Sequence, residues 1–266
     1  MKKITTYFIA ISALLFFAAQ GVQAQHFVGA RAGYGSGTSS FYPPQDMGSV
    51  WGLYSGGVSW KYYSPEKYLG GIEIDALFMQ QGFKRFSKTL MDSYFPGQGD
   101  TTGYEKRTIN SIMVPIFWQP HLYMFNKQAR IFLNLGVTFS YNISSRQEFG
   151  SKINGTVEAN DYEMRTVRDN RWGYGLCGGG GFGWQTGRVE IFGECRYYLG
   201  YSDVLKNRSK YPYNPIRSPL NGLQISFGAF IQIGKPGILS DPGARRGERL
   251  KKRDAERLEE SAPPVE

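Results

Sequence analysis

Eight stretches of this 266-residue chain alternate apolar and polar side chains with a period of two, and that recurrence leaves few folds open. They run Val28 to Tyr34, Val50 to Tyr62, Tyr68 to Gly82, Thr108 to Leu122, Arg130 to Ser144, Arg171 to Trp184, Arg188 to Leu199 and Leu220 to Ile233. Such a period puts successive side chains on opposite faces of a β-strand. In the fifth stretch Leu135, Val137, Phe139, Tyr141 and Ile143 share one face, while Asn134, Gly136, Thr138, Ser140, Asn142 and Ser144 share the other. All but the first stretch reach the ~9–11 residues that a tilted membrane strand requires.

The connections alternate in length. Short turns fall at Ser64-Pro65-Glu66, Asn126-Lys127-Gln128 and Thr186-Gly187; long ones run Ser36 to Ser49, Lys84 to Arg107, Ser145 to Asn170 and Tyr201 to Pro219. Structureless loops of that length are uncommon in compact soluble domains. Short turns on one rim and long loops on the other are the habit of outer-membrane barrels. The expected fold is therefore all-β, an eight-stranded antiparallel up-and-down transmembrane barrel with periplasmic N- and C-termini. The 34 glycines, 18 tyrosines and 18 phenylalanines agree with strands and turns.

Lys2 and Lys3, the apolar run Ile4 to Ala19 and the small residues at Val22-Gln23-Ala24 read as a secretory signal peptide over 1–24. The barrel then occupies 25–234, and 235–266 is a charged periplasmic tail punctuated by Pro236-Gly237 and Pro242-Gly243. Beyond the leader no stretch approaches the ~18 apolar residues of a membrane helix. The formal charge of +9, less Lys2 and Lys3, leaves +7 without any basic run interleaved with aromatics. That excludes nucleic acid as an expected partner.

Alternation alone fits two solvents, since a secreted lipocalin-like barrel hides its apolar face and a membrane barrel shows it to lipid. Three features favour lipid. The polar parity carries mid-strand charge: Arg31, Lys61, Glu73, Asp75, Arg130, Arg188, Glu190, Glu194 and Arg196, five basic and four acidic groups that can pair inside a narrow lumen. The same parity of the sixth strand is small, with Gly173, Gly175, Cys177, Gly179, Gly181 and Gly183, which leaves room for those long side chains. Trp60, Trp118, Trp172 and Trp184 lie on the apolar parity near strand ends, as an aromatic girdle does.

Candidate chemistry is sparse. His26 and His121 are the only histidines, and this topology puts both at the periplasmic end, away from any outer-leaflet Ser/His site. Carboxylates among five cations suit a structural ion-pair network better than acid/base work. His and Cys are too few for a zinc set, and Gly178 to Gly181 lacks the ending of a phosphate loop, so no metal or cofactor is expected. A plain turn pairing 185 with 188 sets Cys177 and Cys195 on opposite faces, while a bulge in the glycine run brings them together; a disulfide is left open.

The leader ending in Ala-Gln, "VGARAGYG", "SIMVPIFWQP" and "IFLNLGVTFSYNIS" together resemble the PorT-like outer-membrane β-barrel family of the Bacteroidetes. The resemblance covers about Phe27 to Ile233 and implies an integral outer-membrane protein, linked in the founding case to type IX secretion. The expectation is a non-enzymatic barrel bedded in outer-membrane lipids, meeting envelope or secretion proteins or peptidoglycan through its tail. Two alternatives stand beside it: an enzyme acting on lipid or peptide at the barrel rim, and a secreted lipocalin-like binder.

Overall fold

The computed structural model describes residues 25–63, 70–87, 103–125, 128–151, 155–212 and 214–233. The expected leader at 1–24, the turn at Ser64-Pro65-Glu66, most of the turn at Asn126-Lys127 and the tail at 235–266 lie outside the described residues. Eleven strands form among those described: β1 (Gln25–Ser39), β2 (Met47–Gly48), β3 (Val50–Tyr63), β4 (Gly71–Ser87), β5 (Gly103–Gln119), β6 (His121–Met124), β7 (Ala129–Ser151), β8 (Gly155–Tyr162), β9 (Trp172–Thr186), β10 (Val189–Asp203) and β11 (Pro219–Ile233).

Eight of them close a ring in the order β4-β3-β1-β11-β10-β9-β7-β5, with β5 paired back to β4. Each ring strand is antiparallel to both neighbours and β1 pairs with β11, which is the up-and-down barrel that the alternation predicts. Closure removes the free sheet edge that lipid cannot satisfy. β2 pairs with β4, and β6 and β8 pair with β7. No helix among the described residues is long and apolar enough to cross a membrane; strands do the crossing.

Several boundaries differ from the sequence reading. Strands continue beyond the alternating runs into what reads as loop: β1 reaches Ser39, β5 begins at Gly103, and β7 runs to Ser151, where β8 folds back on it. Polar strand extensions above a membrane have no apolar face, so periodicity is silent about them. At the tight turn, Gly187 takes a left-handed φ of 61° and Thr186 pairs with Val189, one step later than the pairing of 185 with 188.

The apolar parity faces outward. Leu135, Val137, Phe139 and Ile143 are all exposed, and so are Ile72, Ile74 and Phe78 on β4 and Ile225, Phe227 and Ile231 on β11. Ile131 to Tyr141 makes about 33 Å of strand at ~3.3 Å per residue, which stands about 25 Å tall at the usual tilt. That matches the apolar band of a membrane barrel. A lipocalin arrangement, with this parity lining a pocket, is ruled out.

The lumen is layered. Phe27, Tyr63, Phe132, Phe192 and Phe230 pack at the end carrying the tight turns. Met79, Met113, Phe117, Cys177 and Tyr198 pack farther up, and Phe41, Phe83, Ile109, Val204 and Leu220 close the end carrying the long loops. The charged side chains of Arg31 on β1, Glu73 and Asp75 on β4, and Glu194 and Arg196 on β10 lie between the first two layers, while Arg130 and Glu190 sit level with the first.

Candidate functional site

Polar side chains from six strands meet in that charged layer. Arg31 on β1 donates to Glu194 Oε1 on β10 at 2.5 Å and to Glu73 on β4, and its guanidinium lies 3.2 Å from Asp75. Arg196 on β10 donates to Asp75 Oδ2 at 2.6 Å and Glu73 Oε1 at 2.8 Å, and lies 2.8 Å from Glu194. Three strands separate β4 from β10 in either direction round the ring, so the Arg196 pairs cross its full diameter. Arg130 on β7 pairs with Glu190 on β10. Lys61 on β3 sits 3.5 Å from Glu73 and 3.8 Å from Glu190, its ammonium 3.9, 4.5 and 5.1 Å from the ring centroids of Phe230, Phe192 and Phe132.

No charged side chain of this set is more than 6% exposed. Buried charge is tolerable only when opposed and hydrogen-bonded. Here Arg31, Lys61, Arg130 and Arg196 face Glu73, Asp75, Glu190 and Glu194, four against four. Neutral amides link them: Gln119 donates to Glu73 Oε2 and Asn134 Oδ1, both at 2.7 Å, and Asn134 donates to Glu194 Oε2 at 3.0 Å. β9 supplies the room. A Cβ at Gly181 would stand 2.6 Å from Phe132 Cζ and 2.7 Å from Glu194 Cβ, so side chains of β7 and β10 meet across a glycine of β9.

Eight of the nine charged residues singled out from sequence thus come together. Arg188 does not: the later turn register makes it an exposed turn residue, and losing it turns five cations into four. Gln119 and Asn134 join the network unannounced, although Asn134 lies on the polar parity of its strand. Cys177 is buried in the lumen and Cys195 is exposed on the outside; both are free. Their strands pair in unbroken register from Thr186 with Val189 to Gly175 with Gly200, which sets Cys195 opposite Gly180 and Cys177 opposite Tyr198. The bulge that a disulfide requires is absent from this pairing.

Trp60, Trp118 and Trp184 are exposed near the tight-turn end, and Trp172, 75% exposed, lies at the loop end. Trp51 joins Trp172 there, at 68% exposure, although its parity is that of the lumen. The cause is a bulge. Gly35 pairs with Leu53 and Ser36 with Trp51, leaving Gly52 unpaired at a φ of 84°, so the side chain before it swings out. A glycine directly after a tryptophan was the available signal. A second bulge at Ile143, between the pairs Asn110 with Ser144 and Ser111 with Asn142, turns Ser144 outward, against its expected place on the lumen face.

The histidines sit at the tight-turn end. His26 stacks on Trp60 at 5.8 Å, and His121 lies edge-on to Tyr63 and Tyr123 with Nδ1 3.2 Å from the Gln119 carbonyl.

At the opposite end an open cleft of about 580 Å³ is floored by Phe41 and Phe83 and lined by Arg85, Arg107, Arg168 and Arg208 with Glu105 and Asn214. Arg107 and Arg168 stack on the Tyr162 ring at 3.6 and 4.5 Å and share the carboxylate of Asp169, at 3.2 and 3.4 Å. Asp169 also accepts from Tyr162 Oη at 2.9 Å and from the Arg165 backbone N–H at 2.9 Å. Burial, opposed by Arg107 and reinforced by Asp169, pushes the Tyr162 phenol up to about 12. The pairing of Arg107 with Asp169 joins residues 62 apart that sequence reading assigns to two separate loops.

A closed antiparallel ring with an apolar exterior and a charged, filled interior defines an integral outer-membrane β-barrel. Family comparison agrees, and the chain belongs to the outer membrane protein beta-barrel domain family, whose model matches residues 19–206. It is therefore an outer-membrane protein, with tight turns periplasmic and long loops extracellular. Among solved structures it is similar to Neisserial surface protein A, at 11% identity over 78% of this chain and 97% of that one, with a TM-score of 0.37. It is similar also to OprG from Pseudomonas aeruginosa, at 12% identity over 80% and 99%, TM-score 0.40. A third is Ail, the attachment invasion locus protein of Yersinia pestis, at 12% identity over 79% and 99%, TM-score 0.32. No curated protein matches the chain.

Proposed function

We propose that this protein is a non-enzymatic, non-conducting barrel of the cell envelope that works through its extracellular end and its periplasmic tail. The observation that carries this reading is Arg196 on β10 bonded to Asp75 and Glu73 on the opposite wall. Ions following the lumen would have to displace four paired cations and four carboxylates from direct contacts with one another. The neighbouring Phe132, Phe192 and Phe230 rings offer no alternative path. In planar bilayers the purified barrel should hold a closed baseline; large, stable, ion-selective openings would refute the reading.

The finer role we propose is that of an envelope or secretion-associated component of the PorT-like kind, supported by the leader and the motifs "VGARAGYG" and "SIMVPIFWQP". Its contacts with envelope proteins or peptidoglycan run through 235–266. Cutting the chain after Gly234 should leave the barrel heat-modifiable on gels and abolish co-sedimentation with purified peptidoglycan or capture of envelope partners. Unchanged association after truncation would move that role elsewhere.

A further inference from the structure

The extracellular cleft holds more positive charge than its own structure consumes. Arg85, Arg107, Arg168 and Arg208 line it, and two carboxylates answer them: Glu105, paired with Arg85, and Asp169, shared by Arg107 and Arg168. Glu105 is engaged further by the Gln147 amide at 2.6 Å. Arg208 is exposed and makes no ion pair among the described residues, and Arg85 Nε is buried with no acceptor. The stacked pair on Tyr162 holds two guanidinium planes in place before any ligand arrives. Asn214 is itself fixed, donating to the carbonyls of Arg168 and Lys206 at 2.9 Å each.

We propose that this cleft is a binding site for a polyvalent oxyanion, a phosphorylated or sulfated molecule the size of a sugar phosphate. Guanidinium forks match tetrahedral oxyanions by paired, charge-assisted hydrogen bonds. Fixed donors in a concave site of about 580 Å³ suit a small ligand better than an extended surface. The inference rests on the reading that the extracellular end does this protein's work. It adds the chemistry recognised there.

The test uses the full-length barrel refolded in zwitterionic detergent, with inositol hexakisphosphate as probe in titration calorimetry. Saturable binding is expected, weakening about tenfold for each of Arg208→Gln and Arg85→Gln. Lys210→Gln, on the same loop but outside the cleft, should leave the affinity unchanged. Heats that never saturate, or equal losses from all three substitutions, would mean general attraction to a basic surface and overturn the site. Heat-modified gel mobility of each variant reports barrel integrity, so a lost site and a lost barrel are told apart. Competition then names the source: displacement by a soluble sugar phosphate assigns a ligand from the medium, and displacement by lipopolysaccharide alone assigns the membrane's own leaflet.

Discussion

Replacing Arg196 by methionine is the sharpest probe of the charged network in the lumen. The side chain is wholly buried and meets three carboxylates, Asp75 at 2.6 Å and Glu73 and Glu194 at 2.8 Å, with its guanidinium 4.2 Å over the Phe117 ring. Methionine keeps the apolar stem and loses the charged head, so four cations against four carboxylates become three against four. Asp75 suffers most: among the described residues it and Glu194 are both left with Arg31 alone, but at 3.2 Å for Asp75 against 2.5 Å for Glu194, which also keeps the Asn134 amide. Breaking a buried pair from one side costs about 3–5 kcal/mol, most of it the uncompensated partner. A second change in the same chain, Asp75→Leu, restores three against three and should recover about half of that loss. The assay is equilibrium unfolding in urea from phospholipid vesicles, followed by tryptophan fluorescence and checked by gel mobility without boiling. A loss under about 1 kcal/mol for Arg196→Met, or a further loss on adding Asp75→Leu, would show that the network does not hold the walls together.

Three other outcomes are expected. Gly181→Val drives a side chain into Phe132 and Glu194 and should cost about 1–3 kcal/mol in the same unfolding assay; a variant as stable as the parent would mean that β9 has slack. Gly52→Ala forces a left-handed φ of 84° on a residue with a Cβ and should cost about 1 kcal/mol, with Trp51 emission shifting as its ring leaves the outer interface. The two cysteines should stay unpaired: a membrane-permeant maleimide labels Cys195 in the folded barrel and reaches Cys177 only after unfolding, whereas identical labelling of both would contradict their opposite faces.

How much of this was legible depended on where a residue's partner lay. Leu135 to Ile143 declare the membrane face by parity alone, and parity likewise delivers Arg31, Glu73 and Arg196 to the lumen, because an unbroken strand carries its phase along its length. The phase is lost wherever one residue is inserted. Trp51 and Ser144 both lie beside a bulge, at Gly52 and Ile143, and both point the opposite way from their expected parity. Arg188 fails for a related reason: moving the turn by one position takes it out of the strand. The extracellular cluster of Arg107, Tyr162 and Asp169 left no periodic trace, since Arg107 and Tyr162 sit on strand extensions beyond the alternating runs and Asp169 on the irregular segment between β8 and β9. The glycine-rich wall of β9 was readable as composition, yet only the structure shows that it lets side chains of β7 and β10 touch as though their strands were adjacent.

The balance of charge in the lumen also divides evenly along the chain. β1, β3 and β4 contribute Arg31, Lys61, Glu73 and Asp75; β7 and β10 contribute Arg130, Arg196, Glu190 and Glu194. Each group sums to zero by itself, and each holds internal pairs, Lys61 with Glu73 and Arg130 with Glu190. The strands of the first half of the chain thus bring no net charge to the lumen, and neither do those of the second. Two further pairs, Arg31 with Glu194 and Arg196 with Asp75, tie one neutral set to the other, so the seam between the halves is held by exchanged partners and the lumen as a whole carries no net charge across the bilayer.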